Sequence, residues 1–189
     1  MKKDRKNIIL QALASMLEER NLSKITTASL AEKSNITEAA LYRHFPSKRS
    51  IYAELFSFCD NAIFTKCNEL KKDKMVSKEK VKNAFLFFMI FIEKNKGFAR
   101  LLSREALSSD EQNVSDDVNK FYERLELVLR QMLKEDDKNL KTQAGISAQL
   151  IITTLEGNIS RYIRSKFKDS PSTYVENVWS LISISIFKD

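Results

Sequence analysis

Side chains that can hydrogen-bond to base edges or hold a phosphate are concentrated in one short stretch of the chain. They are Thr37, Glu38, Tyr42, Arg43, His44 and Lys48. Hydroxyl, carboxylate, phenol, imidazole and cationic groups of this kind contact bases and phosphates at a major groove. Most of them fall within about two helical turns, which predicts a short helix that presents them together.

The residues before this helix predict the element that must hold it in place. Thr27 is expected to cap a helix whose residues Leu30 and Ala31 face inward, and Ala31 is small enough for a crossing helix to approach closely. Asn35 tolerates the left-handed backbone that a turn between two crossing helices requires, and Ile36 offers an apolar plug beneath that turn. The pattern therefore predicts a helix–turn–helix.

The residues that follow the turn predict where the reading helix begins and ends. Thr37 is expected to cap a helix over about 38–44, and Pro46 cannot continue that helix. Ser47 can cap the next helix. Lys48 then lies in a first turn, where the helix dipole and a cationic side chain would together hold a phosphate.

Charge is unevenly distributed along the chain. The first fifty residues hold ten Lys and Arg against five Asp and Glu, whereas the remainder holds 22 against 20, for a net charge of +7. Concentrated positive charge favours binding to a polyanion through counterion release. Charge alone does not identify that polyanion.

The residue types argue against an enzyme. His44 is the only histidine in the 189 residues, and it lies in the predicted reading helix. One chain can therefore supply neither two histidines to a metal nor a histidine-based triad. Three glycines are too few for most phosphate-binding loops. Glu93 and Glu105 are interpreted as solvated charge, and Glu156 as a polar contact at a bundle seam. We predict no catalytic site, no metal site and no cofactor.

Composition predicts an all-α fold. Only three Gly and two Pro occur, whereas sheets with many turns use both residues heavily. Cys59 and Cys67 are eight residues apart on one predicted helix, which separates them by roughly 12 Å and prevents pairing within that helix. Two reduced cysteines and the absence of a recognisable secretory signal favour a cytoplasmic protein over a secreted one. A redox sensor is the alternative interpretation of the cysteines.

Apolar periodicity predicts the remaining helices, at about 3–20, 48–70, 78–95, 98–102, 110–134, 142–167 and 173–187. The apolar run 84–92 is far too short to span a bilayer. The lysine-rich stretch 71–80 is expected to be a solvated connection. We predict two domains, a helix–turn–helix DNA-binding domain over 1–50 and a helical dimerisation and partner-binding domain over 51–189. The last two helices are expected to form the self-association surface, unless their apolar residues belong to the monomer core.

These residues carry a resemblance to a known family. The run Leu41-Tyr42-Arg43-His44-Phe45-Pro46-Ser47-Lys48 resembles the LYxHFxSK signature of TetR-type regulators, in which a three-helix DNA reader precedes an all-helical dimerisation and ligand or partner domain. The turn position often filled by glycine is Asn35 here. The resemblance implies DNA contacts by Thr26 as well, so the predicted DNA-binding set is Thr26, Thr27, Thr37, Glu38, Tyr42, Arg43, His44 and Lys48.

Longer phrases, over residues 25–48, 121–135 and 156–171, are similar to one branch of that family, the nucleoid occlusion factors. This resemblance implies a homodimer that binds palindromic double-stranded DNA, as one or two dimers per site, and lies with the nucleoid in the cytoplasm. It also implies that the DNA-bound protein antagonises polymerisation of the division protein FtsZ, whose C-terminal tail would bind in a groove of the second domain. The implied groove residues are Phe58, Lys66, Phe87, Ile90, Lys94 and Asn95.

The groove residues also fit a tail on physical grounds. An exposed Phe58 with Lys66 two turns later would suit a segment that offers an apolar anchor and a carboxylate. The alternative is that Phe58 is core and Lys66 a solvated lysine. At the level of function the alternative is a ligand-responsive TetR-type repressor, in which a small molecule enters the second domain and moves the readers apart.

Overall fold

The computed structural model describes residues 2–19 and 22–188, and this part of the chain is all-α, which confirms the predicted fold class. Isolated antiparallel bridging joins Leu140 and Phe187. The α-helices of the described chain are α1 (Lys2–Glu18), α2 (Thr27–Lys33), α3 (Glu38–His44), α4 (Lys48–Lys72), α5 (Ser77–Lys94), α6 (Lys96–Leu102), α7 (Gln112–Lys134), α8 (Ala144–Arg164) and α9 (Val175–Ile186).

Most predicted helix limits agree with these bounds to within two or three residues. The predicted end of the first helix at Arg20 lies outside the described residues. The helix predicted to begin at residue 110 begins at Gln112 instead, as α7. A 3-10 turn, Ser109–Glu111, precedes it, because Ser108 and Glu111 form a capping box there. Among the described residues, no helix combines the length and hydropathy needed to cross a bilayer.

By packing, the chain forms two compact units. The first comprises residues 1–60 and 95–118, and the second comprises residues 61–94 and 119–189. The predicted boundary after residue 50 marks the end of the DNA-binding domain. The two compact units do not test that boundary, so it stays a prediction.

In the first unit, α1 packs against α6 and supports the helix–turn–helix. The apolar face of α1 is buried, and its members are Ile9, Ala12, Leu13, Met16 and Leu17. Gly97 falls in the gap between the predicted helices 78–95 and 98–102 but lies inside α6, where a Cβ would come within 3.0 Å of the Ala14 carbonyl oxygen and 3.1 Å of Leu17 Cβ. Glycine is therefore needed here for close helix packing and not for a break.

In the second unit, α5 contributes a buried apolar face between α8 and α9. Phe85 packs on Trp179 of α9 with ring centroids 5.8 Å apart, and Phe88 packs on Phe121 of α7 at 6.1 Å. The expectation that the lysine-rich stretch is wholly solvated is wrong at Lys80. Its buried ammonium donates to Glu135 Oε2 at 2.6 Å, so the buried charge is paired with a partly exposed carboxylate.

Candidate nucleic-acid interface

The two short helices of the reader are each held by a threonine cap, in one case at a different residue from the one predicted. The cap of α2 is Thr26, whose Oγ1 accepts from the Ser29 N–H at 3.1 Å, so the assignment to Thr27 is wrong by one residue. Thr37 caps α3 as predicted, with Oγ1 accepting from the Ala40 N–H at 3.2 Å. Both caps satisfy helix-end donors that would otherwise lack partners.

The turn between the two helices has the predicted backbone. Asn35 adopts φ 52°, the left-handed region that asparagine tolerates better than most residues. The Ile36 N–H donates to the Ala31 carbonyl at 3.0 Å, which closes the turn over buried Leu30 and Ala31. The conformation of the turn fixes the direction in which α3 leaves α2.

Three of the predicted DNA contacts form one hydrogen-bonded group on the surface of the reader. The Thr27 hydroxyl donates to Glu38 Oε1, and the Tyr42 hydroxyl donates to Thr27 Oγ1 at 3.4 Å. Tyr42 is 47% exposed although it is a large aromatic residue. Thr27, which is not the cap, thus links the two reader helices and orients Glu38 and Tyr42 on α3.

The other predicted reader residues lie at the same end of the first unit. Arg43 is exposed and His44 half-buried, both in the last turn of α3. Ser47 caps α4 as predicted, because its Oγ accepts from the Ser50 N–H at 3.2 Å. Lys48 follows in the first turn of α4, where its ammonium lies 3.4 Å from Glu111 Oε1. Lys48, the predicted phosphate contact, is therefore partly exposed and forms an ion pair within the protein.

Sequence reasoning missed several residues around this surface. Lys6 of α1 places its Nζ 5.1 Å from the centroid of Phe45, at the end of α3. Arg49 Nε donates to the Asp110 carbonyl oxygen at 2.6 Å. The basic start of the chain could have indicated Lys6, but no local pattern joins α4 to residues about sixty positions later.

Two of the predicted partner-binding residues, both in the first unit, line one cavity. Phe58 is 67% exposed and Asn95 is half-buried, and they flank an open cavity of about 320 Å³. An exposed phenylalanine on a helix argues against the alternative that Phe58 is core. The remaining lining is mainly apolar and includes α1 residues that sequence reasoning missed, Leu10 and Ala14 among them.

The other predicted partner-binding residues belong to the second unit. Phe87, Ile90 and Lys94 recur along one face of α5, and Ile90 is 38% exposed while Lys94 is exposed. The half-buried Phe87 ring packs on Phe91 at 5.9 Å between centroids. Lys66 pairs with Glu69 at 3.5 Å on α4. That these side chains act with Phe58 as one groove stays a prediction.

Helices α8 and α9 expose an apolar face within the second unit. The side chains concerned are Ile146 at 54%, Leu150 at 40%, Leu181 at 69% and Ile184 at 63% exposure. Glu156 on α8 is exposed in the single chain, and its interpretation as a contact at a bundle seam stays a prediction. Large exposed apolar residues on neighbouring helices are typical of a protein–protein interface.

Comparison with known proteins assigns both parts of the chain to one family. The family model described as "Bacterial regulatory proteins, tetR family" matches residues 9–55, and the SlmA-like "Tetracyclin repressor-like, C-terminal domain" matches residues 72–186, more than half of the chain. A protein of Vibrio campbellii named nucleoid occlusion factor SlmA is 37% identical over 190 residues, covering 98% of this chain and 97% of that protein. The chain belongs to the SlmA family of TetR-type proteins.

Other SlmA proteins and TetR-type structures agree with this assignment. The SlmA protein of Vibrio cholerae is 35% identical over 97% of this chain and 96% of its own length. Among solved structures, NalD, the secondary repressor of the MexAB-OprM efflux pump in Pseudomonas aeruginosa, matches with a TM-score of 0.80 at 15% identity, over 99% of this chain and 98% of its own. This likeness shows the TetR fold. The names of these relatives denote regulatory proteins and not enzymes.

Proposed function

We propose that the protein is a dimeric, sequence-specific DNA-binding nucleoid occlusion factor. Once bound to DNA, it antagonises polymerisation of FtsZ and blocks assembly of the Z-ring over the chromosome. It would act in the cytoplasm, associated with the nucleoid. The observation that carries the proposal is the match to SlmA proteins over nearly the whole chain, which includes the C-terminal part where partner binding would lie.

The geometry of the reader supports the DNA-binding part. Glu38 and Tyr42 are positioned by Thr27 on an exposed helix that is short enough to enter a major groove, and Lys48 stands at the start of the following helix. In this arrangement the α3 side chains would contact base edges and phosphates, with Tyr42, His44 and Lys48 largely on the DNA backbone. Pairing of two readers in a homodimer would select a palindromic site, occupied by one or two dimers.

The proposed contact with the FtsZ tail rests on the exposed apolar side chain of Phe58 and on cations that are proposed to act with it. Phe58 is a suitable anchor because most of its surface is in water and it flanks a cavity. Lys66 and Lys94 would attract acidic groups of the tail. Phe87, Ile90 and Asn95 would complete the proposed surface.

Binding of a fluorescein-labelled FtsZ C-terminal tail peptide to the DNA-bound protein tests this site. We expect Phe58→Ala to weaken peptide binding at least about tenfold, which is the usual loss at an anchoring aromatic. Val76→Ala is the matched control, because Val76 is 64% exposed and lies outside every proposed site. Equal binding by Phe58→Ala and wild type would contradict the assignment of this anchor.

The same assay distinguishes the alternative of a ligand-responsive repressor. A repressor would bind DNA and lose that binding when a small molecule enters the second domain, without any response to the tail peptide. A nucleoid occlusion factor would bind the peptide whether or not small apolar molecules are present.

A further inference from the structure

The Lys48 ammonium, the proposed phosphate contact, already has an anionic partner within the protein. Its Nζ lies 3.4 Å from Glu111 Oε1 and 5.2 Å from the centroid of the Tyr52 ring. The Lys48 side chain is 31% exposed, whereas that of Glu111 is 1% exposed. One member of the pair is thus fixed in the interior, and the other reaches the surface where DNA is proposed to bind.

Glu111 is held in place by more than this ion pair. The Ser108 backbone N–H donates to Oε2 at 3.0 Å, and the Ser108 hydroxyl donates to the same oxygen. Burial raises the pKa of the Glu111 carboxyl, but the hydrogen bonds from Ser108 and the charge of Lys48 lower it more, to below its ordinary value. The carboxylate is therefore ionised at neutral pH.

The turn Ser108–Glu111 contacts the start of α4 and is followed directly by the long helix α7. Arg49 Nε donates to the Asp110 carbonyl oxygen at 2.6 Å, so two successive residues of α4 contact the turn Ser108–Glu111. Helix α7 begins at the next residue, Gln112. A change at Lys48 can therefore reach the start of α7 directly.

We propose that Glu111 competes with DNA phosphate for the Lys48 ammonium, so that DNA binding loosens the Ser108–Glu111 turn at the start of α7. The carboxylate cancels part of the positive charge that a phosphate would otherwise meet. When a phosphate draws Lys48 away, the buried carboxylate loses its counter-charge, which is unfavourable and favours opening of the turn so that the carboxylate reaches water. The proposal rests on the proposed phosphate contact by Lys48.

Glu111→Gln tests the competition, because glutamine keeps a capping acceptor for Ser108 but carries no charge. With a fluorescein-labelled duplex of random sequence, we expect Glu111→Gln to bind roughly three- to tenfold more tightly than wild type. The slope of log affinity against log salt concentration should be steeper for Glu111→Gln than for wild type, by up to about 0.9 for each protomer. Asp110→Asn is the matched control, since it removes one charge from an exposed neighbouring side chain. The effect should vanish in a Lys48→Ala background.

Hydrogen exchange of the wild-type protein tests the loosening and does not depend on whether the variant folds. On DNA binding, the Ser108 amide should exchange faster, whereas it should not respond in Lys48→Ala. Unchanged or weaker DNA binding by Glu111→Gln, or unchanged exchange at Ser108, would overturn the proposal. Undiminished DNA binding by Lys48→Ala would instead contradict the phosphate contact within the proposed function.

Discussion

The exposed apolar face on α8 and α9 leads to a quantitative prediction about self-association. Leu181 is 69% exposed in the single chain. Complete burial of a leucine side chain contributes about 1.5–3 kcal/mol, so covering this exposed part in a dimer would contribute about 1–2 kcal/mol. In a two-fold symmetric interface each substitution counts twice. Leu181→Ala should therefore cost about 2–4 kcal/mol and raise the dimer dissociation constant about 30- to 700-fold, with retained Ala contacts favouring the lower end.

Sedimentation equilibrium over a range of protein concentrations measures this dissociation constant. Circular dichroism should show an unchanged helical content, because Leu181 contributes little to the packing of one chain. Val76→Ala, with a similar exposed fraction away from this face, should dimerise like wild type. A Leu181→Ala dissociation constant equal to that of wild type would refute the reasoning and exclude this side chain from the interface.

Three further predictions concern the reader and the core. Thr37→Ala removes the α3 cap and should lower the free energy of unfolding by about 1 kcal/mol. It should also reduce discrimination between a selected duplex and its scrambled form in a DNA-binding assay. Unchanged discrimination would count against a reading role for Thr37. Gly97→Ala should cost about 1–2 kcal/mol in chemical denaturation, because crowding against α1 outweighs the gain in helix propensity, and a stabilised variant would contradict the close packing. Burial raises the pKa of Cys59 to about 12 and that of Cys67 to about 11, so at about pH 8 fewer than roughly one thiol in a thousand is ionised. Both thiols should react with a disulfide reagent only as the protein unfolds, and rapid labelling of the folded protein would show that they are accessible.

Local chemistry made the reader predictable from sequence. The turn needs a left-handed backbone at Asn35, which asparagine tolerates. Thr37 and Ser47 have donors within three residues, and Pro46 ends a helix through its own ring. The misassigned cap shows the limit of such reasoning. Thr26 and Thr27 are adjacent and chemically identical, but only Thr26 has Ser29 three residues later, whose Oγ accepts from the Thr26 N–H at 2.9 Å and completes a capping box. The assignment to Thr27 overlooked this local signal.

Long-range packing explains what the sequence did not predict. Lys80 seemed part of a solvated lysine run, but its ammonium is buried against Glu135. Ser108, three residues before Glu111, is a local sign of the capping box, but nothing local indicates the ion pair of Glu111, since Lys48 is distant in sequence. No local pattern indicates that Gly97 lies inside α6, since its contact with Ala14 depends on how α1 packs against α6. Each of these contacts depends on the tertiary arrangement and not on periodicity.

Sedimentation of FtsZ polymers with the protein, in the presence and absence of a duplex selected by the protein from a random pool, tests the central claim most directly. We expect the protein with its selected duplex to reduce the amount of sedimented FtsZ strongly, and either component alone to have little effect. FtsZ that lacks its C-terminal tail should be insensitive to the complex. Unchanged sedimentation of full-length FtsZ with the DNA-bound protein would contradict the proposed function.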